Sequence, residues 1–178
     1  MEKPCVDEWL RCSKRSIKIL NDILKLVHPD LYDSGKKALA RLGDDELTSA
    51  ASKKWKSVFT GISIIANRRT QLHVDHFGSH KWFDMIVNLG TCTNAWFEFP
   101  ELGLRLKYNP GAVVLFSGNL FTHGVNEWGD GDRLCYAMFM RQEVLSRFGL
   151  EDVGWSTLER CGGEFTEGDL EDQESSSS

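Results

Sequence analysis

The chain has 178 residues, of which 41% are hydrophobic and 26% are charged. This length predicts one compact domain and excludes three or more, and the composition excludes a mainly disordered chain, a collagen-like repeat and a membrane-spanning bundle. The net charge of −5 would argue against a nucleic-acid partner, but residues 1–81 carry 15 basic and 10 acidic side chains, whereas residues 82–178 carry 6 and 16. Six of those acids lie within residues 164–178, and the other 163 residues sum to +1.

The cysteines and the two ends of the chain indicate the cellular setting. Five cysteines occur without a CxxC pair or another zinc-binding spacing, so we expect reduced thiols and an intracellular protein. The first residues lack the apolar run of a signal peptide, and no stretch approaches about 18 apolar residues, so no membrane span is expected. Residues 164–178 are acidic and end in four serines, which predicts disorder.

The first third of the chain is predicted to be helical, because apolar residues recur at spacings of three, four or their multiples. We expect the first helix to end before Pro29, since the residue before a proline disfavours helical geometry. A second helix is predicted over residues 34–42, ending at Gly43, and a third from Asp44 to about residue 53. The residues that define the apolar face of the first helix are Trp9, Ile17, Leu20, Leu24 and Val27.

From Trp55 onward the pattern becomes that of a β protein. Short runs of β-branched and aromatic residues alternate with turn signals such as Pro110-Gly111. Six or seven strands after a helical lead-in predict a β-sandwich or jelly roll flanked by helices, in the α+β class, and not a Rossmann-like fold. The predicted strands fall within residues 58–66, 82–90, 95–100, 104–108, 112–118 and 134–140.

Three residues form a candidate metal site. His73 and Asp75 stand two residues apart, so on extended backbone both side chains point to the same side. His123 follows the predicted strand at 112–118 and is the candidate third ligand. Two imidazoles and one carboxylate form the facial triad of non-heme Fe(II) oxygenases, whereas zinc more often recruits a cysteine or a third histidine.

A histidine-rich loop is the competing interpretation, because an HxD tripeptide arises by chance and His76 and His80 lie close by. Arg133, ten residues after His123, strengthens the metal-site hypothesis. A buried arginine needs an anionic partner, and its planar fork matches a carboxylate, so a dicarboxylate co-substrate would satisfy it. Taken alone, Arg133 would more often be a solvent-exposed residue at a strand end.

Together with the intervening segment at residues 88–125, these residues resemble the TET/JBP group of Fe(II)/2-oxoglutarate dioxygenases, in particular its compact fungal type. The segment reads NLGTCTNAWFEFPELGLRLKYNPGAVVLFSGNLFTHGV, and the resemblance covers about residues 55–141. It implies a double-stranded β-helix (jelly roll) core at 55–150, an N-terminal helical support at 1–54 and a C-terminal extension at 151–178. It also implies that His73, Asp75 and His123 bind the metal and carry the catalysis.

The resemblance implies Fe(II), 2-oxoglutarate and O₂ as the cofactor and co-substrates. Arg133 would bind the distal carboxylate of 2-oxoglutarate. A second arginine, five residues before the HxD motif, would support the co-substrate. Arg68 occupies that position, and Arg69 is its rival.

The expected substrate contacts come from the same resemblance. Phe139, six residues after the co-substrate arginine, would stack on an extruded base. Related enzymes carry a polar residue where this chain has Gly78, so Ser79 or His80 would replace it. Arg69 and Arg141 are further candidates for substrate contact.

The partner expected from the resemblance is DNA that contains methylated bases, bound by a monomer in the nucleus and without a membrane. The target base must flip out of the duplex, and phosphates must meet basic residues. Lys53, Lys54 and Lys56 form a local basic cluster, although an ordinary solvated helix end explains it equally well. Two alternatives remain: an oxygenase acting on RNA, protein or a small molecule, and a non-catalytic jelly-roll binding module.

Overall fold

The computed structural model of this chain describes residues 4–76 and 78–161. In these residues three helices come first, antiparallel strands joined by loops follow, and a short fourth helix comes after the last strand. The predicted disordered segment at 164–178 lies outside these residues. The helices are α1 (Pro4–Val27), α2 (Pro29–Asp44), α3 (Ser49–Ser52) and α4 (Gln142–Ser146), with a 3₁₀ turn at Pro100–Leu102. The strands are β1 (Gly61–Ala66), β2 (Thr70–His73), β3 (Asp84–Asn88), β4 (Trp96–Phe99), β5 (Leu104–Lys107), β6 (Val113–Phe116), β7 (His123–Val125) and β8 (Leu134–Phe139).

The strands form two four-stranded sheets with the orders β1-β8-β3-β6 and β2-β7-β4-β5. Every recorded pairing is antiparallel, and a cluster of aromatic and aliphatic side chains packs between the two sheets. This arrangement is a jelly roll, so the predicted α+β fold with supporting helices is confirmed. The boundaries at residues 54 and 150 stay a prediction.

Helices α1 and α2 cover the outer face of the first sheet. Leu20 and Leu24 on α1 are buried in a core that also contains residues of β3 and β8. The indole N–H of Trp9 donates a 2.7 Å hydrogen bond to the Tyr136 hydroxyl, which ties α1 to β8. The apolar face predicted for α1 is therefore the face that holds the helical layer on the sheet.

The predicted bounds of two helices are wrong. Helix α2 begins at Pro29, five residues before the predicted start, because proline is tolerated at the first helical position and His28 caps the helix. It ends at Asp44 and includes Gly43. Helix α3 begins at Ser49 and not at Asp44, since the Asp45 side chain accepts a 2.9 Å hydrogen bond from the Leu47 N–H and stabilises a turn instead.

Each predicted strand region contains one observed strand, and the remaining two strands, β2 and β7, are short and polar. Their pairing sets the functional geometry, because His73 stands opposite His123 in the β2–β7 register. In the part of the chain that the structure describes, no helix combines the length and the apolar character needed to cross a bilayer.

His28 caps α2 from a fully buried position and gives the fold a pH dependence. Its Nδ1 accepts a hydrogen bond from the Leu31 N–H (3.4 Å), so the proton lies on Nε2, which donates to the Lys81 carbonyl (3.2 Å). Burial lowers the pKa of His28, so the folded protein keeps the ring neutral at a pH where the unfolded chain binds a proton. The cap is therefore lost on acidification.

We expect the free energy of unfolding to fall as the pH drops below about 6.5, the ordinary histidine pKa, and to keep falling until the lowered pKa of folded His28 is reached. Urea unfolding between about pH 7.5 and pH 5.5 measures this slope. His28→Asn keeps a capping side chain that does not titrate, so its slope should be shallower than that of the wild type. Equal slopes in the two proteins would contradict the assignment.

Candidate active site

His73, Asp75 and His123 meet at the open end of the β2–β7 pair. One potential ligand atom from each residue lies within 4.8 Å of the others. Asp75 carboxylate oxygens stand 3.6 Å from Nε2 of His73 and 3.6 Å from Nε2 of His123. The structure thus brings together the three residues that the sequence nominates as ligands, and their donor set suits Fe(II).

Backbone carbonyls orient both imidazoles. Nδ1 of His73 is 2.8 Å from the Gln71 carbonyl, and Nδ1 of His123 is 3.0 Å from the Phe121 carbonyl. Each Nδ1 therefore carries the proton and donates it, which leaves the Nε2 lone pairs free for a metal ion. Burial lowers the pKa of His123, so this ring stays in the neutral, metal-binding form.

An aromatic wall shields the buried side of the triad. The ring of Phe97 lies parallel to the His123 ring at 5.9 Å, and the ring of Phe116 contacts the same histidine edge-on at 4.5 Å. His123 is 3% exposed, whereas His73 and Asp75 are partly open to solvent. The triad is therefore open to a ligand from the His73 side, whereas the aromatic rings exclude water from the His123 side.

Asp84 is a site residue that sequence reasoning missed. Its carboxylate accepts a hydrogen bond from the Gly118 N–H, and burial together with the nearby charge of Asp75 raises the pKa of Asp84 to about 7. The signal was present, because Asp84 is a carboxylate inside the otherwise apolar run WFDMIVNLG. Burying a carboxylate costs free energy unless it is hydrogen-bonded, and the bond from Gly118 provides that compensation. Through Gly118, Asp84 also supports the loop that carries Asp75.

Gly118 makes room for the two carboxylates and holds Asp75 in place. Its carbonyl accepts a 2.8 Å hydrogen bond from the Asp75 N–H, and Asn119 Nδ2 donates to the Asp75 carbonyl at 2.9 Å. A Cβ at Gly118 would collide with Oδ2 of Asp84 and approach Oδ2 of Asp75 to 2.9 Å. Any side chain at this position must therefore shift the Asp84 carboxylate and crowd that of Asp75, the candidate metal ligand.

Gly118→Ala is accordingly expected to weaken binding of Mn(II), used as a redox-stable probe for Fe(II), by about 10- to 100-fold, the usual effect of disturbing the support of a ligand. Calorimetric titration measures the affinity. Gly154→Ala is the matched control, because a Cβ there meets no atom within 4 Å. Equal Mn(II) affinity in Gly118→Ala and the wild type would contradict this role of the glycine.

Arg133 is the largest fully buried side chain in the described part of the protein, at 2% exposure. One guanidinium nitrogen donates to the Arg68 carbonyl (2.7 Å) and lies 3.5 Å from the Thr70 hydroxyl, while the other terminal nitrogen is 3.5 Å from the Cys135 sulfur. Its Nε has no hydrogen-bond partner among the residues that the structure describes. The ring of Trp128 covers the guanidinium at 5.7 Å.

The charge of Arg133 lacks a counterion among the residues that the structure describes, since no carboxylate there forms an ion pair with it. Burial raises the pKa of the Cys135 thiol, so the neighbouring sulfur is neutral and does not compensate the charge. A permanently charged, buried guanidinium with a free N–H is a site for an anion. Thr70 begins the strand that ends at His73, so this site lies about 10 Å from the first metal ligand along β2.

The two candidate supporting arginines differ in placement. Arg68 reaches Arg133 through its backbone carbonyl, and the charge of Arg68 acts on the Cys135 thiol. Arg69 is exposed and lines a surface cavity of about 340 Å³ with Asn126, Glu127 and Trp128, the residue whose ring covers Arg133. Both arginines therefore border the surroundings of Arg133, and which of the two contacts a co-substrate stays a prediction.

Two of the predicted substrate contacts come together at the other end of β8. Phe139 has the same strand parity as Arg133 and Cys135, so all three share the inner face of β8. Its ring lies over Gly61, where a Cβ would overlap it, and the guanidinium of Arg141 stands 4.8 Å from the ring centre. Phe139 and Arg141 thus form an aromatic–cation pair.

The other nominated residues lie in neighbouring surface segments. Ser79 stabilises a turn, because its hydroxyl accepts from the Lys81 N–H at 3.3 Å. His80 packs edge-on against Trp155 at 5.4 Å. Lys54 pairs with Asp7 of α1 at 2.7 Å, which places the basic cluster of Lys53, Lys54 and Lys56 on the helical layer and not beside the triad.

Comparison with known proteins assigns the family. The model of the Tet_JBP family, described as the oxygenase domain of the 2OGFeDO superfamily, matches residues 7–142, which is most of the chain. This chain belongs to the Tet_JBP family, and the predicted family is confirmed; its compact fungal type stays a prediction. Members of the superfamily are dioxygenases that use Fe(II), 2-oxoglutarate and O₂.

Among solved structures, the chain is similar to NgTET1 in a complex with 5mC DNA, at 14% sequence identity and a TM-score of 0.47. The similarity covers 77% of this chain and 49% of that one, so this chain spans about half the length of the protein that it matches. A search of curated proteins found no match.

Proposed function

We propose that this protein is an Fe(II)/2-oxoglutarate dioxygenase that oxidises methyl groups on bases in DNA. The observation that carries the proposal is the buried, uncompensated guanidinium of Arg133 beside the strand that bears the His73–Asp75–His123 cluster. A structural jelly roll has no need for a buried cation that lacks a counterion. An oxygenase that binds a dicarboxylate needs such a cation, because the cation holds the distal carboxylate.

The residues fit the groups that the family requires. His73, Asp75 and His123 would hold Fe(II), and Arg133 would hold the distal carboxylate of 2-oxoglutarate, with Arg68 in support. When bound, these groups would supply the oxidation: 2-oxoglutarate would lose CO₂ and become succinate, with one oxygen atom of O₂ entering the new succinate carboxylate and the other entering the methyl group. Retention of the full ligand set and of the arginine argues against a non-catalytic binding module.

The chain's own residues position the reactants. The carbonyls of Gln71 and Phe121 fix the two imidazoles, and Phe97 and Phe116 exclude water from the buried side of the metal cluster. A methylated base inside a duplex cannot reach this interior, so it must be extruded at a cost of a few kcal/mol and held by stacking. Phe139 on the inner face of β8 offers the stacking surface, and Arg141 beside it offers a positive charge for a phosphate.

Either of two methylated bases suits this chemistry. Hydroxylation of 5-methylcytosine gives a stable product that can be oxidised further. Hydroxylation of N6-methyladenine gives a hydroxymethyl group that leaves as formaldehyde and restores adenine. The nuclear location and monomeric state expected from the sequence belong to the same proposal.

The test is incubation of the purified protein with Fe(II), 2-oxoglutarate, ascorbate and matched duplexes that carry 5-methylcytosine, N6-methyladenine or no modification. Nucleosides from digested DNA are then quantified by mass spectrometry. We expect one methylated base to be consumed and the unmodified duplex to be unchanged. If the protein binds iron and every methylated base in the duplexes stays intact, a DNA-base substrate is refuted. Succinate formation stimulated only by RNA, a protein or a small molecule would identify the alternative substrate class.

A further inference from the structure

Tyr108 is a fully buried residue whose hydroxyl has only a thiol as a hydrogen-bonding neighbour in the described part of the protein. It follows β5 directly, its N–H donates to the Ala95 carbonyl at 2.8 Å, and the residue is 0% exposed. Its hydroxyl has no hydrogen-bond partner of normal geometry in the described part of the protein. A buried hydroxyl is normally satisfied, so an orphaned one indicates a missing ligand or water.

The position of Tyr108 connects the metal cluster to the arginine. Its ring packs edge-on against Phe97 at 5.4 Å, and Phe97 in turn lies parallel to the metal-binding ring of His123 at 5.9 Å. On its other side the hydroxyl lies next to the Cys135 thiol, which is 3.5 Å from a terminal nitrogen of Arg133. Tyr108 thus borders the space between the triad and the anion site.

Two donor groups of residues that neighbour the Cys135 thiol lack an oxygen acceptor in the described part of the protein. One is the Nε–H of Arg133, and the other is the Tyr108 hydroxyl. Burial raises the pKa of Tyr108, so the phenol keeps its proton and acts as a donor. The Nε–H of Arg133 and the Tyr108 hydroxyl are therefore buried donors that lack an oxygen acceptor among the described residues, which is the arrangement that a carboxylate with several lone pairs satisfies.

We propose that the Tyr108 hydroxyl donates a hydrogen bond to the distal carboxylate of 2-oxoglutarate beside Arg133, and that it thereby contributes to the selection of a dicarboxylic 2-oxo acid. This inference rests on the proposed function. It assigns to Tyr108 a role in co-substrate binding that the sequence motifs do not include. The alternative hydrogen-bond acceptor for the Tyr108 hydroxyl is an ordered water molecule. In that case the affinity for the co-substrate would not depend on Tyr108.

The test compares two 2-oxo acids that differ in one end. The Fe(II)-loaded protein is titrated without O₂, and the absorption band of the Fe(II)–2-oxo acid chelate reports binding of 2-oxoglutarate or of 2-oxopentanoate, which carries a methyl group in place of the distal carboxylate. Tyr108→Phe should weaken 2-oxoglutarate binding by about 10- to 100-fold, the value of a hydrogen bond to a charged group. Its affinity for 2-oxopentanoate should equal that of the wild type.

Tyr136→Phe is the matched control. Tyr136 is also a buried tyrosine, but it lies on β8 of the first sheet and its hydroxyl faces α1, where it accepts from Trp9. We expect this variant to bind both ligands like the wild type. Because the Tyr108 hydroxyl reaches no better partner than the weakly polar Cys135 thiol in the described part of the protein, Tyr108→Phe should also keep the wild-type unfolding temperature without a ligand, which shows that it folds.

Each other outcome overturns the proposal. Equal 2-oxoglutarate affinity in Tyr108→Phe and the wild type would mean that the hydroxyl binds water. Equal losses for the two ligands would mean general damage to the pocket. In both cases the wild type still binds 2-oxoglutarate and the proposed function stands, whereas a wild type that binds iron but not 2-oxoglutarate would refute the proposed function as well.

Discussion

Replacing His73 or Asp75 by alanine is expected to abolish the oxidation of methylated bases. Each substitution removes one of three protein ligands whose atoms lie within 4.8 Å of one another. Disturbing the support of a metal ligand commonly costs 10- to 100-fold in affinity or activity, and losing a direct ligand costs more, so we expect turnover below about one hundredth of the wild-type rate. Iron content and product formation are measured on the same preparations.

His76→Ala is the control for this experiment. His76 is the next histidine along the loop, it is exposed, and it lies outside the ligand cluster. It should keep bound iron and most of the activity. Full activity in His73→Ala or Asp75→Ala, or an equal loss in all three variants, would show that the triad is not the metal centre.

Replacing Arg133 by methionine should have two opposite effects. Without its guanidinium, the pocket loses the charge-assisted hydrogen bonds to a carboxylate, and we expect 2-oxoglutarate to bind about 100-fold or more weakly. In the absence of the co-substrate, the variant should be as stable as the wild type or more stable. The reason is that removal of a buried, uncompensated charge relieves a desolvation cost, and methionine fills a similar volume.

Thermal unfolding with and without 2-oxoglutarate separates these effects. The wild type should gain stability on addition of the co-substrate, and Arg133→Met should gain none. Arg105→Met serves as the control, because Arg105 lies exposed on β5 and pairs with Glu98 at 3.0 Å. Co-substrate stabilisation that persists in Arg133→Met would place the carboxylate elsewhere, with Arg68 and Arg69 as the next candidates.

The sequence was sufficient to nominate three candidate ligands that lie together in the structure, and to predict most of the strands of the two sheets. His73 and Asp75 have the two-residue spacing of extended backbone, and the longer strands carry runs of β-branched and aromatic residues that local pattern detects. Strands β2 and β7 escaped that pattern because they have four and three residues and bear functional polar side chains. Their pairing, which sets His73 opposite His123, is a tertiary property.

The rest of the site depends on contacts between distant segments. Tyr108 and Cys135 are far apart in the chain, and only the folded sheet brings the phenol to the thiol and so to Arg133. The start of α2 was missed for a different reason. Pro29 follows the end of α1 and is itself the first residue of α2. The sequence pattern predicts only the helix end, because the start depends on the cap that His28 forms in the folded protein.

The most direct test of a DNA-base dioxygenase is the coupling between co-substrate turnover and base oxidation in one reaction. Succinate and modified nucleosides are quantified together for methylated and unmethylated duplexes of the same sequence. We predict that the methylated duplex stimulates succinate formation, with one succinate released for each oxidation step detected on the base, and that His73→Ala yields neither product. Equal succinate formation with the methylated and the unmethylated duplex, while every methylated base stays intact, would contradict the proposed activity.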